Sequence, residues 1–545
     1  MASSRQGKVI CSDAATVVET SAGKIRGFQR NGIYIFKGVP YGASTSGARR
    51  FMAPSSPESW TGIRNALAYG RICPQEDSAH FNMDGHNLAP NDEDVFLLHR
   101  GSAILVPGED CLRLNIWTPE IRGSGKRPVM VYMHGGGFSG GCGHDLLSYE
   151  GENLARNHDV IVVNHNHRLN VYGYLNLAAI GGDDFADSAN VGLLDLVAVL
   201  QWVRDNIASF GGDPGNVTIF GQSGGGGKVA ALLAMPSAKG LFHRAIIQSG
   251  PFIRALSSDY SQRVAESLMD ELGLSASQAK ELQKVPADRL SGAAAEAMKK
   301  TPPPKTELRD SFGESGWGPT VDGRVLPVHP FDPGAPQISA DVPLITGTNL
   351  NESVSGLDRP DADKMTVEEM KSRVQEMYGI RTDEIIAAYR QEYSDATPFA
   401  LYAAIATARW RIPAIEQAAR KAELGAAPAY SYVYCWRTPS LNNRPGPFHA
   451  SEISFVFDNA EICDHYSAGD PSGLALARQM SAAWVSFART GDPNHSNLPH
   501  WPMYNAKDRA TMFFDATCHV RNNPEQKGLS LIAQSQAATF PPSGQ

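Results

Sequence analysis

Short apolar stretches alternate with helix-like segments through the first half of the chain. Three of them, VMVYM, VIVV and VTIF, have the continuous apolar character of buried strands and end at Met133, Val163 and Phe220. Between the last two lies GLLDLVAVLQWVRDNIASF (192–210), which reads as a helix. Earlier, residues 17–42 contain short β-rich runs around Gly and Asn-Gly turns, which predict hairpin strands. The alternation predicts an α/β fold with parallel strands and crossover helices.

The composition narrows the classes of protein to which the chain can belong. Hydrophobic residues make up 42% and charged residues 19% of 545 residues, which is ordinary for a globular protein. The net charge is −8, and Lys and Arg are scattered without a basic stripe, so we expect no nucleic-acid partner. No apolar run approaches the roughly 18 residues of a membrane span. The first residues also lack the apolar core of a signal peptide.

The segment FGQSGGGGKVAALL (220–233) places a serine between glycines where a strand pattern changes to a helix pattern. Gly221, Ser223 and Gly225 satisfy G-x-S-x-G, the nucleophile elbow, which requires this strand–turn–helix context. Glycines flank the serine because larger side chains would collide in so tight a turn. A serine at a helix N-terminus also lies near free N–H groups that can stabilise an oxyanion.

A second segment, MHGGGFSGG, contains another match to G-x-S-x-G, centred on Ser139. The residues before it, from His134 to Gly137, form the HGGG motif, whose backbone N–H groups stabilise developing negative charge. We therefore predict Ser223 as the nucleophile and interpret Ser139 as part of the HGGG loop. The phosphate-loop pattern fails, because its glycine spacing is absent and Val229 follows the lysine.

A reactive serine needs a general base, and the base needs a carboxylate that orients it. Glu352 lies just after the strand pattern VPLIT and is the preferred acid; Asp322 in TVDG is the rival and is more typical of a turn. Five histidines follow Glu352, and His449 is preferred because a turn-rich segment leads into it. The other four are His465, His495, His500 and His519.

Two helical patterns interrupt the alternation, at about residues 257–300 and 366–425. Each contains the spacing of a helix capping box, at Ser275–Gln278 and at Thr366–Glu369. Helices inserted between sheet strands often cover an active site, and simple packing is the alternative interpretation. We expect one catalytic domain over residues 17–530 that carries both insertions.

The motifs together resemble the type-B carboxylesterase and cholinesterase family of α/β-hydrolases. The resemblance covers roughly residues 17–515 and includes FKGVPYG, RRFMAP, EDCLRLN, HGGGF, FGGDPGNVTIFGQSGGG, TGTNLNES, FHASEISFVF and FARTGDPN. It implies an α/β-hydrolase fold, with a large, mostly parallel central sheet flanked by helices. It also implies hydrolysis of a small-molecule carboxylic ester through an acyl-enzyme, without a metal or organic cofactor.

The resemblance also assigns roles to residues. Ser223 matches the nucleophile, Glu352 the acid and His449 the base. The matched oxyanion-hole donors are Gly136, Gly137 and Gly224. The alternatives are an amidase or carbamate hydrolase with the same triad, and a non-catalytic esterase-like binding domain.

The sequence departs from the family pattern beside the nucleophile, where Gln222 and Gly224 stand in place of the usual Glu and Ala. The change at Gln222 removes a negative charge there. No tryptophan lies between Cys73 and Cys111, where cholinesterases bind the choline group by cation–π contact. Cholinesterase activity is therefore not expected.

The cysteines indicate in which cellular compartment the protein is expected. Cys73 and Cys111 match the family's first disulfide, and stable disulfides imply an oxidising compartment. The resemblance therefore favours a secreted or periplasmic protein whose signal is absent from this chain, with the cytosol as the alternative. The oligomeric state is not predicted.

Two further features have simple structural interpretations. His165 and His167 could share one face of a strand as metal ligands, but no third ligand is evident, and a structural strand is expected there. Lys228 is expected to point to solvent, one helical turn beyond the serine.

Overall fold

The computed structural model describes residues 8–75, 92–100, 103–123, 126–303, 316–357 and 359–539. Within these ranges the strands are β1 (Val17–Thr20), β2 (Gly23–Arg26), β3 (Phe28–Arg30), β4 (Ile33–Pro40), β5 (Ile63–Asn65), β6 (Arg113–Thr118), β7 (Arg127–Met133), β8 (Ile161–His165), β9 (Gly212–Gln222), β10 (Arg244–Gln248), β11 (Leu344–Asn349), β12 (Ala429–Tyr434), β13 (Thr511–Phe514) and β14 (His519–Arg521).

The helices follow the same order along the chain. They are α1 (Asp13–Thr16), α2 (Asp92–Leu98), α3 (Glu152–His158), α4 (Asn170–Tyr174), α5 (Ala178–Gly181), α6 (Val191–Asn206), α7 (Gly224–Ala234), α8 (Ser258–Glu271), α9 (Ala287–Lys300), α10 (Val367–Tyr378), α11 (Thr382–Glu392), α12 (Pro398–Ala406), α13 (Ala408–Glu423), α14 (Ile453–Val456), α15 (Asp464–Ser467), α16 (Pro471–Thr490) and α17 (Gln526–Thr539).

A large mixed sheet organises the fold. Its strand order is β14-β13-β12-β11-β10-β9-β7-β8-β6-β4-β3, and a separate small sheet has the order β1-β2-β5. The pairs from β8 through β7, β9, β10, β11 and β12 to β13 are parallel. The outer pairs at both edges are antiparallel. This central parallel sheet is the α/β-hydrolase architecture that the sequence predicts.

Alternation along the strands directs side chains to two cores. In β7, Val131 and Met133 belong to the core that also contains Leu196 of α6. Met130 of the same strand belongs to the other core, with Trp484 of α16. Successive strand residues point to opposite faces, and each core contains helix residues, so the sheet is covered by helices on both sides. Its strands therefore read as nearly continuous apolar runs.

The sheet register places the ends of four parallel strands at one edge. Met133 at the end of β7 is paired with Gly221 of β9. Gln222, the last residue of β9, is paired with Gln248, the last residue of β10. Asn349 ends β11 on the far side of β10. In open α/β sheets, ligands bind in the crevice outside the carboxyl ends of the strands, so the loops after these strands can form a site.

Helices lie in both stretches with the insertion pattern. Between β10 and β11 the chain forms α8, a 3₁₀ helix (Ala276–Lys284) and α9, and between β11 and β12 it forms α10 to α13. The capping box at Ser275 and Gln278 is present, but it begins the 3₁₀ helix. Thr366 caps α10 by accepting a hydrogen bond from the Glu369 N–H. Among the helices in the described ranges, none has the length and hydropathy needed to cross a bilayer.

The predicted disulfide is wrong in this structure. Cys73 and Cys111 are buried free thiols. A hydrogen bond between the two side chains, together with burial, raises the pKa of the Cys111 thiol. Thiols in hydrogen-bond contact lie further apart than the roughly 2.05 Å of an S–S bond. Without the disulfide, the argument for an oxidising compartment has no structural support.

Candidate active site

The strand–turn–helix at Ser223 has the geometry of a nucleophile elbow. Ser223 lies between the end of β9 and the start of α7, with φ 59° and ψ −128°. The turn is so tight that a Cβ on Gly221 would lie 2.5 Å from the Gly225 backbone. The Ser223 N–H donates to the Gln248 carbonyl at 2.8 Å, which fixes the turn against β10. Ser223 is partly exposed, whereas the residues on both sides of it are buried.

The HGGG loop packs directly on this elbow. Gly136 and Gly137 have φ of 87° and 60°, in the left-handed region that favours glycine. A Cβ on Gly224 would overlap the Gly137 carbonyl and lie 2.5 Å from the Gly137 nitrogen. Within the described chain, the N–H groups of these three glycines donate no hydrogen bond. The two segments therefore bring free backbone donors together beside Ser223.

Glu352 and His449 are brought together from positions 97 residues apart. The His449 Nδ1 lies 2.5 Å from the Glu352 Oε2. The other carboxylate oxygen accepts a hydrogen bond from the Asn349 N–H at 2.6 Å. The Glu352 N–H donates to Thr407 Oγ1 at 2.9 Å, which ties the loop after β11 to the helical segment before β12. The buried carboxylate is thus held in one orientation.

Charge and burial shift the pKa of His449 in opposite directions. Burial lowers its pKa, but the charge and hydrogen bond of Glu352 more than offset this, so the pKa lies above its usual value. Trp410 of α13 packs against the imidazole, with ring centroids 4.9 Å apart. A neutral His449 with its proton on Nδ1, toward the carboxylate, leaves Nε2 as a hydrogen-bond acceptor.

Nε2 of His449 faces the elbow. It lies 3.3 Å from the side-chain amide nitrogen of Gln222, the residue before Ser223. In the part of the chain that the structure describes, Ser223 Oγ makes no hydrogen bond. Gln222 therefore donates to the nitrogen that would accept the proton of the serine. In a serine hydrolase, the substrate complex would require the serine to take over this contact.

A second buried carboxylate, Glu452, belongs to the same network and was missed from the sequence. It accepts hydrogen bonds from Asn349 Nδ2 at 2.8 Å and Gln248 Nε2 at 3.2 Å. Burial and the charge of Glu352 raise its pKa to about 7. The only signal in the sequence is its place three residues after His449, in FHASE. That spacing does not reveal that the two carboxylates share a buried site.

The rival candidates have other roles. The Ser139 Oγ atom is buried, and the Ser139 main-chain N–H donates to the Gly136 carbonyl within the loop. Asp322 accepts the N–H groups of Arg324 and Leu326, which is a turn interaction. Among the histidines after Glu352 that the structure describes, His449 is the one that contacts it.

His165 and His167 lie in a buried cluster with His134. The ring centroids of His165 and His167 are 5.4 Å apart, and those of His134 and His167 are 4.7 Å apart. Lys228, predicted to point to solvent, is instead fully buried beside this cluster and donates to the His134 carbonyl. The prediction failed because helical position does not reveal what covers a helix face.

Among the described residues, one group has metal-ligand atoms within 4.8 Å of one another: His99, Asp464 and His465. The two imidazoles are stacked, with centroids 3.9 Å and planes 14° apart. Nitrogen lone pairs lie in the ring plane, so stacked rings direct them side by side instead of toward one ion. This arrangement does not suit a tetrahedral zinc site.

Comparison with known proteins identifies the family of the chain. The carboxylesterase family profile matches residues 14–532. A para-nitrobenzyl esterase of Bacillus subtilis (strain 168) is 33% identical, covering 95% of this chain and 99% of its own length. A phenmedipham hydrolase of Pseudarthrobacter oxydans is 32% identical, covering 91% of this chain and 94% of its own length.

Solved structures are similar to this chain over nearly its whole length. A carboxylesterase of Geobacillus stearothermophilus is 34% identical with a TM-score of 0.75, covering 95% of this chain and 100% of its own. An esterase of Clostridium hathewayi, described as hydrolysing aliphatic aromatic polyesters, is 34% identical with a TM-score of 0.79. It covers 97% of this chain and 100% of its own. The chain therefore belongs to the carboxylesterase family and is a carboxylic ester hydrolase.

Proposed function

We propose that Ser223, Glu352 and His449 are the catalytic triad of this carboxylesterase. The observation that carries the proposal is the 2.5 Å contact between the His449 Nδ1 and a buried Glu352 oxygen, with Nε2 facing the elbow. An imidazole oriented by a carboxylate on one nitrogen, and facing a serine with the other, is the arrangement that activates a serine.

The reaction begins when Ser223 Oγ attacks the ester carbonyl carbon. Nε2 of His449 takes the serine proton, and the resulting imidazolium is stabilised by the Glu352 carboxylate. The carbonyl oxygen becomes an oxyanion in a tetrahedral intermediate. As the carbon–oxygen bond to the alcohol breaks, His449 returns the proton to the departing alkoxide. The product of this half-reaction is an acyl ester on Ser223.

Water completes the cycle. His449 takes a proton from water, whose oxygen attacks the acyl carbon and forms a second tetrahedral intermediate. Collapse of this intermediate releases the carboxylic acid and returns the proton to Ser223. Each step uses groups of the chain and water, so the proposal includes no metal or organic cofactor.

We assign the oxyanion hole to the backbone N–H groups of Gly136, Gly137 and Gly224. The support is their position beside Ser223 and the lack of other hydrogen-bond partners for them in the described chain. Preorganised donors of this kind stabilise charge that develops in the transition state. Removing one of them commonly costs about 10²–10³ in kcat.

The substrate is proposed to be a small-molecule carboxylic ester, and residues 17–530 are proposed to act as one catalytic unit. The helices before β12 contribute to the site, since Thr407 and Trp410 contact Glu352 and His449. An amidase or carbamate hydrolase with the same triad is the second candidate. A panel of matched esters, carbamates and amides separates these activities by kcat/KM.

Covalent labelling tests the triad directly. A fluorophosphonate should attach to Ser223, and mass spectrometry of the digested protein should locate it there. The Ser223→Ala variant should lose both labelling and activity, by about 10⁴-fold or more for activity. Ser139→Ala is the matched control and should keep much of both. Labelling at Ser139, or near-normal turnover by Ser223→Ala, contradicts the proposal.

A further inference from the structure

Lys228 lies on α7, the helix that begins directly after Ser223. It is fully buried, in a helix whose 11 residues are all buried. Its Nζ donates a hydrogen bond to the main-chain carbonyl oxygen of His134 at 2.9 Å. A buried amine is costly unless polar groups satisfy it. The hydrogen bond to the start of the HGGG loop identifies the group that does so.

The same helix and the HGGG loop also touch through bare backbone. A Cβ on Gly224 would lie 2.5 Å from the Gly137 nitrogen, and a Cβ on Gly225 would lie 3.0 Å from the His134 carbonyl oxygen. Lys228 bonds that same carbonyl oxygen one turn later. Three positions of α7 therefore contact the loop, and Lys228 is the one among them with a side chain.

The charged and titratable groups that face Lys228 come from the loop, the end of β8 and Asp145. Burial lowers the pKa of His165 to about 3, and those of His134 and His167 well below the usual value; the Lys228 cation lowers them further. These histidines are therefore neutral near pH 7. Burial also lowers the pKa of Lys228 to about 7, against the attraction of the Asp145 carboxylate.

We propose that Lys228 is a positioning residue for the oxyanion hole: its ammonium group holds the HGGG loop against the helix that follows Ser223. This inference rests on the proposed roles of Ser223 and the oxyanion-hole glycines. A charge-assisted hydrogen bond is roughly twice as strong as a neutral one, so the protonated amine holds the His134 carbonyl more firmly. Lys228 is not the base, because its Nζ is occupied as a donor to a carbonyl oxygen.

The consequence is a loss of kcat when the ammonium group is lost. The loop donors act on charge that develops in the transition state, so a displaced loop lowers kcat and leaves KM nearly unchanged. A displacement of about 1 Å can cost about 10²-fold in rate. Since Lys228 loses its proton as the pH rises past neutrality, wild-type kcat should fall on the alkaline side.

The first test replaces Lys228 with methionine, which keeps the length of the side chain and removes the donor. We expect kcat of Lys228→Met to fall about 10- to 100-fold, with KM within about 3-fold of wild type. The alkaline fall in kcat should disappear. The matched control is Lys239→Met at an exposed position after α7. This variant should leave kcat, KM and the alkaline fall in kcat unchanged. A wild-type kcat in Lys228→Met overturns the inference.

The second test leaves Lys228 in place and changes its charged neighbour. The negative charge of Asp145 favours the protonated amine, so Asp145→Asn should move the alkaline fall in kcat to lower pH. A purely structural role for Lys228 would not shift the pH at which kcat falls on the alkaline side. An unchanged alkaline limb overturns the inference. This measurement decides the matter if thermal unfolding shows that Lys228→Met does not fold.

Fluorophosphonate labelling separates this inference from the proposed function. If Ser223 of the wild type is not labelled, the proposed function fails. If Ser223 is labelled in the wild type and at an equal rate in folded Lys228→Met, the role of Lys228 fails while the triad stands. The result that supports both is labelling at Ser223 that is about 10-fold or more slower in Lys228→Met.

Discussion

The two halves of the proposed active site are built from different kinds of groups: main-chain atoms in one half and side chains in the other. The oxyanion half consists of backbone from the HGGG loop and the first turn of α7, packed so closely that a Cβ on Gly224 would overlap the Gly137 carbonyl. The acid–base half consists of buried side chains, with Glu352 held against His449 and Glu452 nearby. Shape therefore controls the first half, and charge controls the second.

The difference predicts different responses to substitution. Adding one methyl group to the oxyanion half should be harmful although it changes no charge. In the acid–base half, replacing a carboxylate by an amide of the same shape should change kcat or its pH dependence although it changes no volume. The four predictions below test this contrast, beginning with the largest effect.

Glu352→Gln should lower kcat/KM by about 10³–10⁴. The glutamine oxygen can still accept from the Asn349 N–H, which leaves its NH₂ group facing His449 and favours the wrong imidazole tautomer. Steady-state kinetics on one ester measure the loss. Asp322→Asn is the matched control, because Asp322 serves a turn, and it should retain normal turnover. Comparable losses in the two variants would remove Glu352 from the triad.

Gly224→Ala should lower kcat by about 10²-fold, because the added methyl pushes the HGGG loop away from Ser223. Thermal unfolding should show that the variant remains folded. Gly292→Ala on α9 is the control, since a Cβ there meets nothing within 4 Å. It should change neither kcat nor stability to a large extent. Normal kcat in Gly224→Ala would show that the close approach is unimportant.

Glu452→Gln should move the acidic fall of kcat to lower pH by less than about 1 unit, because Glu452, with a pKa of about 7, is only partly ionised where His449 titrates. The charge of Glu452 helps to raise the pKa of His449, and His449 acts as a base only when neutral. Removing that charge lowers the pKa, so the neutral form persists to lower pH. The exposed Glu461→Gln should leave the profile unchanged. A shift of the acidic fall of kcat to higher pH in Glu452→Gln would contradict this prediction.

The smallest effect concerns Gln222. Without a carboxylate before the serine, a choline ester and its uncharged tert-butyl analogue should have kcat/KM values within about 3-fold of each other. Gln222→Glu should raise this ratio a few-fold, because the new charge lies close to His449 and the elbow. The exposed Gln375→Glu on α10 serves as the control. A strong preference of the wild type for the choline ester contradicts the prediction.

Much of the architecture could be predicted from local pattern. The runs VMVYM and VTIF lie within β7 and β9, and VIVV lies in β8 apart from its first residue, because strands buried on both faces are apolar throughout. The elbow and the HGGG loop could be recognised because bare backbone in tight turns leaves glycines in the sequence. The catalytic roles of Ser223, Glu352 and His449 stay predictions, although the structure places Glu352 and His449 in contact.

The wrong or missing predictions concern features that depend on burial and on distances between residues remote in sequence. The family resemblance implied a disulfide, but Cys73 and Cys111 are free thiols. The position of Lys228 on a helix suggested an exposed amine, but Lys228 is fully buried and donates to the His134 carbonyl of the HGGG loop. The place of Glu452 three residues after His449 did not reveal its importance, because that depends on Glu352, a hundred residues earlier in the chain.

Sequence by itself determined the features that depend on neighbouring residues: the strand–helix alternation, the tight turn at Ser223 and the glycine loop that accompanies it. These follow from allowed backbone angles and from side-chain periodicity, which act over a few residues. Tertiary structure alone decided which carboxylate meets His449, which amine is buried beside the HGGG loop, and how far their pKa values move. Desolvation and Coulomb interactions depend on distances between groups remote in sequence, and those distances exist only after the chain has folded.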